Sequence, residues 1–109
     1  MVKAPTTEAR DRIRDTAPKL VELAEEVVYG DIWERPGLSK RERSLITVAA
    51  LVAMGRERQL PGHLQRALFN GVSREEIVEL ITHLAFYSGW PAAMTAATLA
   101  KQVFDENDG

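Results

Sequence analysis

One stretch decides most of what this chain can become. From Ser73 to Phe104 the sequence reads as a helix, a break and a second helix. Ser73-Arg74-Glu75-Glu76 is a capping box: the Ser73 hydroxyl accepts an orphan N–H of the first turn while Glu76 reaches back. Ile77, Leu80, Ile81, Leu84 and Ser88 follow the spacing of one helical face. Gly89 suits the left-handed backbone that stops a helix, and Pro91 suits the first position of the next. Val103 and Phe104 anchor the far end. A helical hairpin with one apolar side follows, with His83 beside that side.

The rest of the chain repeats this punctuation. Residues 1–15 mix acids and bases and read as a flexible or partly helical arm. Thr16-Ala17-Pro18 predicts a helix capped by Thr16, with Leu20, Leu23, Ala24, Val27 and Val28 along one side and Gly30 at its end. Asp31 to Leu38 is an irregular connection with a Pro36-Gly37 turn, and its Trp33 is either a plug on the core or a pocket wall. Ser39-Lys40-Arg41-Glu42 is a second capping box. Leu45 to Met54 is apolar nearly all round, and its length and alanines favour a buried central helix over a strand. Leu60 to Asn70 predicts a helix of about three turns with Leu64, Ala67 and Leu68 inward, His63 near its start and Gly71 as its stop. The expected architecture is all-α, one domain over residues 1–109, with five or six helices.

Composition excludes several functions. There are no cysteines among the 109 residues, which removes disulfides, thiolate metal sites and cysteine nucleophiles together. A net charge of −2 and scattered arginines give no pull toward nucleic acid. The longest apolar run, Val48 to Met54, is too short to span a bilayer, and the first residues lack the apolar core of a signal peptide. A cytoplasmic protein that binds neither nucleic acid nor membrane is expected. Apolar helices in so short a chain also favour packing against copies of itself.

The residues suited to chemistry are few. The two histidines, His63 and His83, lie on different helices without a carboxylate at ligand spacing, so no metal site is expected. Either is a packed imidazole or an acid or base in a helix-walled pocket. Tyr87 lies one turn after His83, and Trp90 at the break beyond it. Arg43, on the first turn of the central helix, is either solvated, paired with an acid or a carboxylate clamp.

Arg41 to Leu51, Gly55-Arg56, Leu60, His63-Leu64, Ala67 to Gly71, Glu75 to Ile77 and His83 to Ala93 occur in an order that resembles the carboxymuconolactone decarboxylase family. Gly30 to Leu38 resembles its gamma-carboxymuconolactone decarboxylase branch. The resemblance implies an alkyl hydroperoxidase D-like all-α fold, trimers or hexamers, and pockets near subunit contacts. Redox members of the wider superfamily place a Cys-x-x-Cys pair seven and four residues before the histidine, where this chain has Arg56 and Gln59, and a proton-relaying glutamate where it has Ser44. Thiol peroxidase chemistry is thereby excluded.

The implied reaction is cofactor-free decarboxylation of a carboxylated unsaturated lactone to an enol-lactone. It calls for a group that stabilises an oxyanion, a proton source and arginines for carboxylates. His63 is assigned as lactone-oxygen donor or proton source, its helix-start position favouring the neutral imidazole; His83 is the second candidate acid. Arg43 and Arg35 are candidate clamps, and Trp33, Tyr87 and Trp90 candidate walls. Two alternatives stand beside this reading: another lyase, isomerase or hydrolase on the same fold, and a non-catalytic helical oligomer that binds a ligand or partner.

Overall fold

Capping chemistry sets where the principal helices begin. In the computed structural model, which describes residues 1–108, the Ser39 hydroxyl accepts from Glu42 N–H at 3.0 Å and the Glu42 carboxylate accepts from Ser39 N–H at 2.9 Å. Ser73 and Glu76 repeat the arrangement at 3.0 and 2.9 Å. These boxes open α3 (Lys40–Ala53) and α5 (Arg74–Ser88). Ahead of them lie α1 (Glu8–Ile13) and α2 (Pro18–Leu23); α4 (Leu60–Phe69) and α6 (Trp90–Asp108) complete the set, with no strand among the described residues.

Glycine sets where two of these helices stop. Gly55, at φ +68°, and Gly71, at φ +95°, follow α3 and α4. At each end two backbone N–H groups fold back onto the last turn, as in Val72 N–H to the Ala67 carbonyl at 2.9 Å, which satisfies carbonyls the helix leaves open. Gly89 breaks the hairpin differently from expectation. At φ +98° and ψ 149° it is not left-handed helical but in an extended region that side chains with a Cβ avoid.

The hairpin of α5 and α6 packs on α3 and α4. Val48, Val52, Leu60, Leu64, Ile77 and Ile81 supply the bulk of the core, and Ala93, Ala96 and Ala100 give α6 a flat buried face. The buried hydroxyl of Ser44 accepts from Asn70 Nδ2 at 3.0 Å, so this core position holds a neutral hydrogen bond. An Arg41–Glu76 ion pair ties α3 to the cap of α5. Among the described residues no helix is long and apolar enough to cross a membrane.

The start of the chain departs most from its sequence pattern. Thr16 does not cap α2. Ala17 occupies that position, with Pro18 at the first turn and no side-chain cap. The expected apolar side of this helix faces outward: Leu20, Leu23, Val27 and Val28 are exposed, and Val21 is the residue that is buried. Leu20 and Leu23 lie within regular α2, on either side of Val21, which is the position that turns inward. After Leu23 the helix widens into a π-helical turn over Ala24–Tyr29, so Val27 and Val28 drift out of phase with Val21. A 3₁₀ turn, Ile32–Glu34, then leads toward α3.

Candidate active site

The π-helical turn also builds the site. It ends at Gly30, where a Cβ would lie 2.7 Å from the Glu26 carbonyl oxygen and 2.8 Å from that of Glu25. Glycine alone closes the turn this tightly. The closure sets Tyr29 and Trp33 together, ring centroids 5.8 Å apart. Trp33 in turn stacks on His63, with centroids 6.3 Å apart and planes 25° from parallel.

His63 stands in the first turns of α4, its backbone N–H donating to the Gln59 carbonyl, and Arg66 follows one turn later on the same side. The Arg66 guanidinium lies 4.3 Å from the Tyr29 ring centroid and 5.7 Å from that of Trp33. Arg10, from α1, covers Tyr29 at 4.7 Å. The result is a cluster of alternating cations and rings with a histidine at one end. Each such contact contributes roughly 0.5–2 kcal/mol, depending on how dry it is.

This cluster borders a cleft of about 510 Å³. It lies between the N-terminal arm, the start of α4 and the end of α6, and it is open to solvent on one side. The arm is held in place by Gln65 and Asn107: Lys3 N–H donates to Asn107 Oδ1 at 3.0 Å, Gln65 Nε2 donates to the Lys3 carbonyl, and Asn107 Nδ2 donates to Gln65 Oε1 at 2.7 Å.

Four arginines line the cleft, Arg10, Arg12, Arg58 and Arg66, against two glutamates, Glu8 and Glu106. Arg12 faces Glu8 at 3.6 Å and Arg10 faces Glu25 at 3.9 Å. Arg58 and Arg66 also line it, and neither has an ion-pair partner among the described residues. Burial and, after it, the Arg66 charge hold His63 below the ordinary imidazole value of 6.5. The sequence argument credited the helix start with this effect; burial is its principal cause. His63 Nδ1 is buried and unpartnered. A neutral imidazole with an unused nitrogen, beside unpaired guanidinium groups, can exchange a proton with an anion bound there.

The other candidates separate into two places. Arg43 Nη2 donates to the Arg35 carbonyl at 3.0 Å and so braces the loop that carries Trp33, while the Arg35 side chain is exposed. His83 stacks on Tyr87 at 4.8 Å, and Phe86 meets Trp90 edge-on at 5.8 Å. Tyr87 is 78% exposed and Trp90 58%, and neither they nor His83 line the His63 cleft. Sequence reasoning passed over Tyr29, Arg66 and Arg10. The first two carried a signal, since Tyr29 precedes Trp33 by four residues and Arg66 follows His63 by three. Arg10 carried none. Among the described residues no three His, Asp or Glu side chains are grouped to hold a metal ion.

Comparison with known proteins bears on this arrangement. A family model described as the carboxymuconolactone decarboxylase family matches residues 18–102. A 4-carboxymuconolactone decarboxylase of Acinetobacter baylyi is 45% identical over 78 residues, covering 72% of this chain and 58% of that protein. A nitrosuccinic acid decarboxylase of Metarhizium robertsii is 33% identical over 85 residues, covering 78% of this chain and 59% of that protein. The chain thus spans a little under six-tenths of the length of these relatives.

Proposed function

The chain belongs to the carboxymuconolactone decarboxylase family, and we propose that it is a cofactor-free decarboxylase of a carboxylated unsaturated lactone, 4-carboxymuconolactone or a close analogue. One observation carries this reading: a half-buried His63 with an unspent nitrogen lines a cleft whose Arg58 and Arg66 lack carboxylate partners among the described residues. That combination suits a small polyanion and a proton transfer. The names of the two relatives point the same way, since each substrate joins a carboxylate to an electron-withdrawing group that can take up the electron pair.

In the proposed reaction the bond from ring carbon to carboxylate breaks and CO₂ leaves. The electron pair moves through the ring double bond to the lactone carbonyl oxygen. Protonation at carbon then gives the enol-lactone, with one proton consumed for each CO₂ released. His63 supplies that proton, Trp33 and Tyr29 flank it, and Arg43 holds the Trp33 loop through the Arg35 carbonyl. His83, exposed on α5, is left as the comparison residue rather than a second acid.

The assay is loss of the lactone chromophore on addition of purified protein, with nitrosuccinate as a second substrate. Turnover without added metal or cofactor supports the reading. Protein inert toward both compounds favours a non-catalytic binding oligomer. A trimer or hexamer belongs to the same proposal, supported by the exposed Leu20, Leu23, Val27 and Val28 and by Phe86, Tyr87 and Met94. Light scattering at micromolar concentration tests it, and a monomer would refute it.

A further inference from the structure

We propose that Arg66 is a clamp for a substrate carboxylate and that filling it loads His63 with the proton His63 then delivers. The proposal rests on the decarboxylase reading for its chemistry but not for its test. Three observations carry it. Arg66 and His63 lie one turn apart on α4 and line the same cleft. Both pack on Trp33, Arg66 through its guanidinium and His63 through its ring. Arg66 has no acidic partner among the described residues, so its charge acts on His63 uncompensated.

The other charges around His63 do not take over this role. From α1, Arg12 faces Glu8 at 3.6 Å, while Arg10, 3.9 Å from a Glu25 carboxylate that Arg14 holds at 2.8 and 3.0 Å, covers the Tyr29 ring and is not among the charges acting on His63. From α6, Glu106 lines the cleft as an exposed side chain, and among the described residues no carboxylate joins burial and Arg66 in acting on His63; Tyr29 enters from the π-helical turn already covered by two guanidinium groups. Arg58, in the turn before α4, adds a second unpaired cation. On the Trp33 loop, Glu34 is held by Lys40 at 3.0 Å, Asp31 and Arg35 are exposed, and Arg43 of α3 is turned to the Arg35 carbonyl.

The empty cleft therefore disfavours the imidazolium through burial and through Arg66. A carboxylate on Arg66 cancels the second of these, and another carboxylate in the same small cleft attracts the imidazolium directly. A proton is then taken from solvent onto His63 as the dianion binds. After CO₂ leaves, His63 gives that proton to carbon and returns to the neutral form, and a product with one carboxylate fewer is held less strongly. Proton uptake at binding and proton delivery at the reacting carbon are thus one cycle.

The test uses cis-cyclopentane-1,3-dicarboxylate, which has two carboxylates and nothing to lose as CO₂ through a double bond. Calorimetric titration in HEPES and in Tris gives the net proton count on binding, and NMR follows the two imidazoles against pH with and without ligand. We expect net proton uptake and a His63 titration moved to higher pH, with the His83 signals, assigned through His83→Gln, indifferent to the ligand. Arg66→Gln should weaken binding on the order of tenfold or more and abolish the uptake, whereas Arg66→Lys should retain uptake at reduced affinity. His63→Gln should bind without uptake. Binding with no net uptake, an unmoved His63 titration, uptake that survives Arg66→Gln, or no binding at tens of millimolar would each overturn the proposal. If Arg66→Gln does not fold, absence of uptake in the wild type still overturns the proposal, and unchanged affinity in Arg66→Lys overturns the clamp. Protein that takes up the proton but leaves the lactone intact sinks the decarboxylase reading alone. Protein that consumes the lactone without uptake sinks the coupling alone.

Discussion

The molecule has two histidines, and each is stacked on an aromatic ring. His63 lies on Trp33 at 6.3 Å and His83 on Tyr87 at 4.8 Å. On contact geometry alone the second pair is the closer. What separates them is enclosure and charge. His63 is half-buried, with a guanidinium one turn away and a cleft in front of it, whereas His83 and Tyr87 stand in the open on α5. Water screens a charge beside an exposed ring. Beside His63 the same charge acts through a drier medium and shifts the equilibrium. An aromatic neighbour does not make a histidine reactive; partial burial next to an unpaired charge can.

The largest test of that contrast is kinetic. His63→Ala should lower kcat on the lactone by roughly 10²–10⁴-fold, the range for loss of a general acid or an oxyanion donor. His83→Ala should change it by no more than a few-fold. His63→Gln keeps an N–H donor but cannot titrate, so it should stay near the alanine level if the proton is what matters. A large loss at position 83 with none at position 63 would move the site to the hairpin tip. Next in size, Arg66→Gln should lower kcat/KM by about 10–100-fold, the cost of one charge-assisted contact. Arg35→Gln, on an exposed side chain whose backbone carbonyl does the bracing, should stay within a few-fold. Equal losses from the two would show that any arginine near the Trp33 loop suffices.

Much of the frame was legible because it depends on local rules. Both capping boxes form as written, and Gly55 and Gly71 stop their helices, since each is decided within four or five residues. Thr16 misled because Pro18 suits a first turn whichever residue precedes it. The Leu20–Val28 stripe misled because α2 turns Val21 inward rather than Leu20 and Leu23, and because a π-helical turn then shifts the period under Val27 and Val28, which nothing in the residue types announces. Of the candidate site, His63 and Trp33 are each singled out by sequence, but their stacking is non-local: thirty residues separate them. Arg66 was hidden in plain spacing. Its importance comes from having no acidic partner, which becomes visible once the chain is folded.

Gly30 tests whether the cleft depends on that π-helical turn. A Cβ there would press on two carbonyl oxygens at 2.7 and 2.8 Å, so Gly30→Ala must open the turn that carries Tyr29 toward Trp33. A loss of about 1–3 kcal/mol, the usual cost of overpacking, is expected from denaturant unfolding, together with a fall in kcat/KM. Gly37 is the control. A Cβ at Gly37 meets nothing within 4 Å, and its φ is not positive, so Gly37→Ala should stay within about 0.5 kcal/mol. Equal effects from both would mean that the Tyr29 turn is not what shapes the site.

The smallest effect lies in the pH dependence of stability, and its sign is fixed. The folded chain holds His63 below the ordinary value of 6.5 that it regains on unfolding. As pH falls through 6.5 the unfolded chain takes up a proton that the folded chain still refuses, so stability drops. The drop ends once pH passes below the lowered folded value, where both states carry the proton. Above 6.5 neither does, and the contribution vanishes. His63→Gln should remove this component from the stability profile while leaving acid unfolding driven by the carboxylates in place. His83→Gln should leave the component intact. A His63→Gln profile that still parallels wild type across the window just below 6.5 would mean that His63 titrates alike in both states. The enclosure and the Arg66 charge that distinguish it from His83 would then have no energetic consequence.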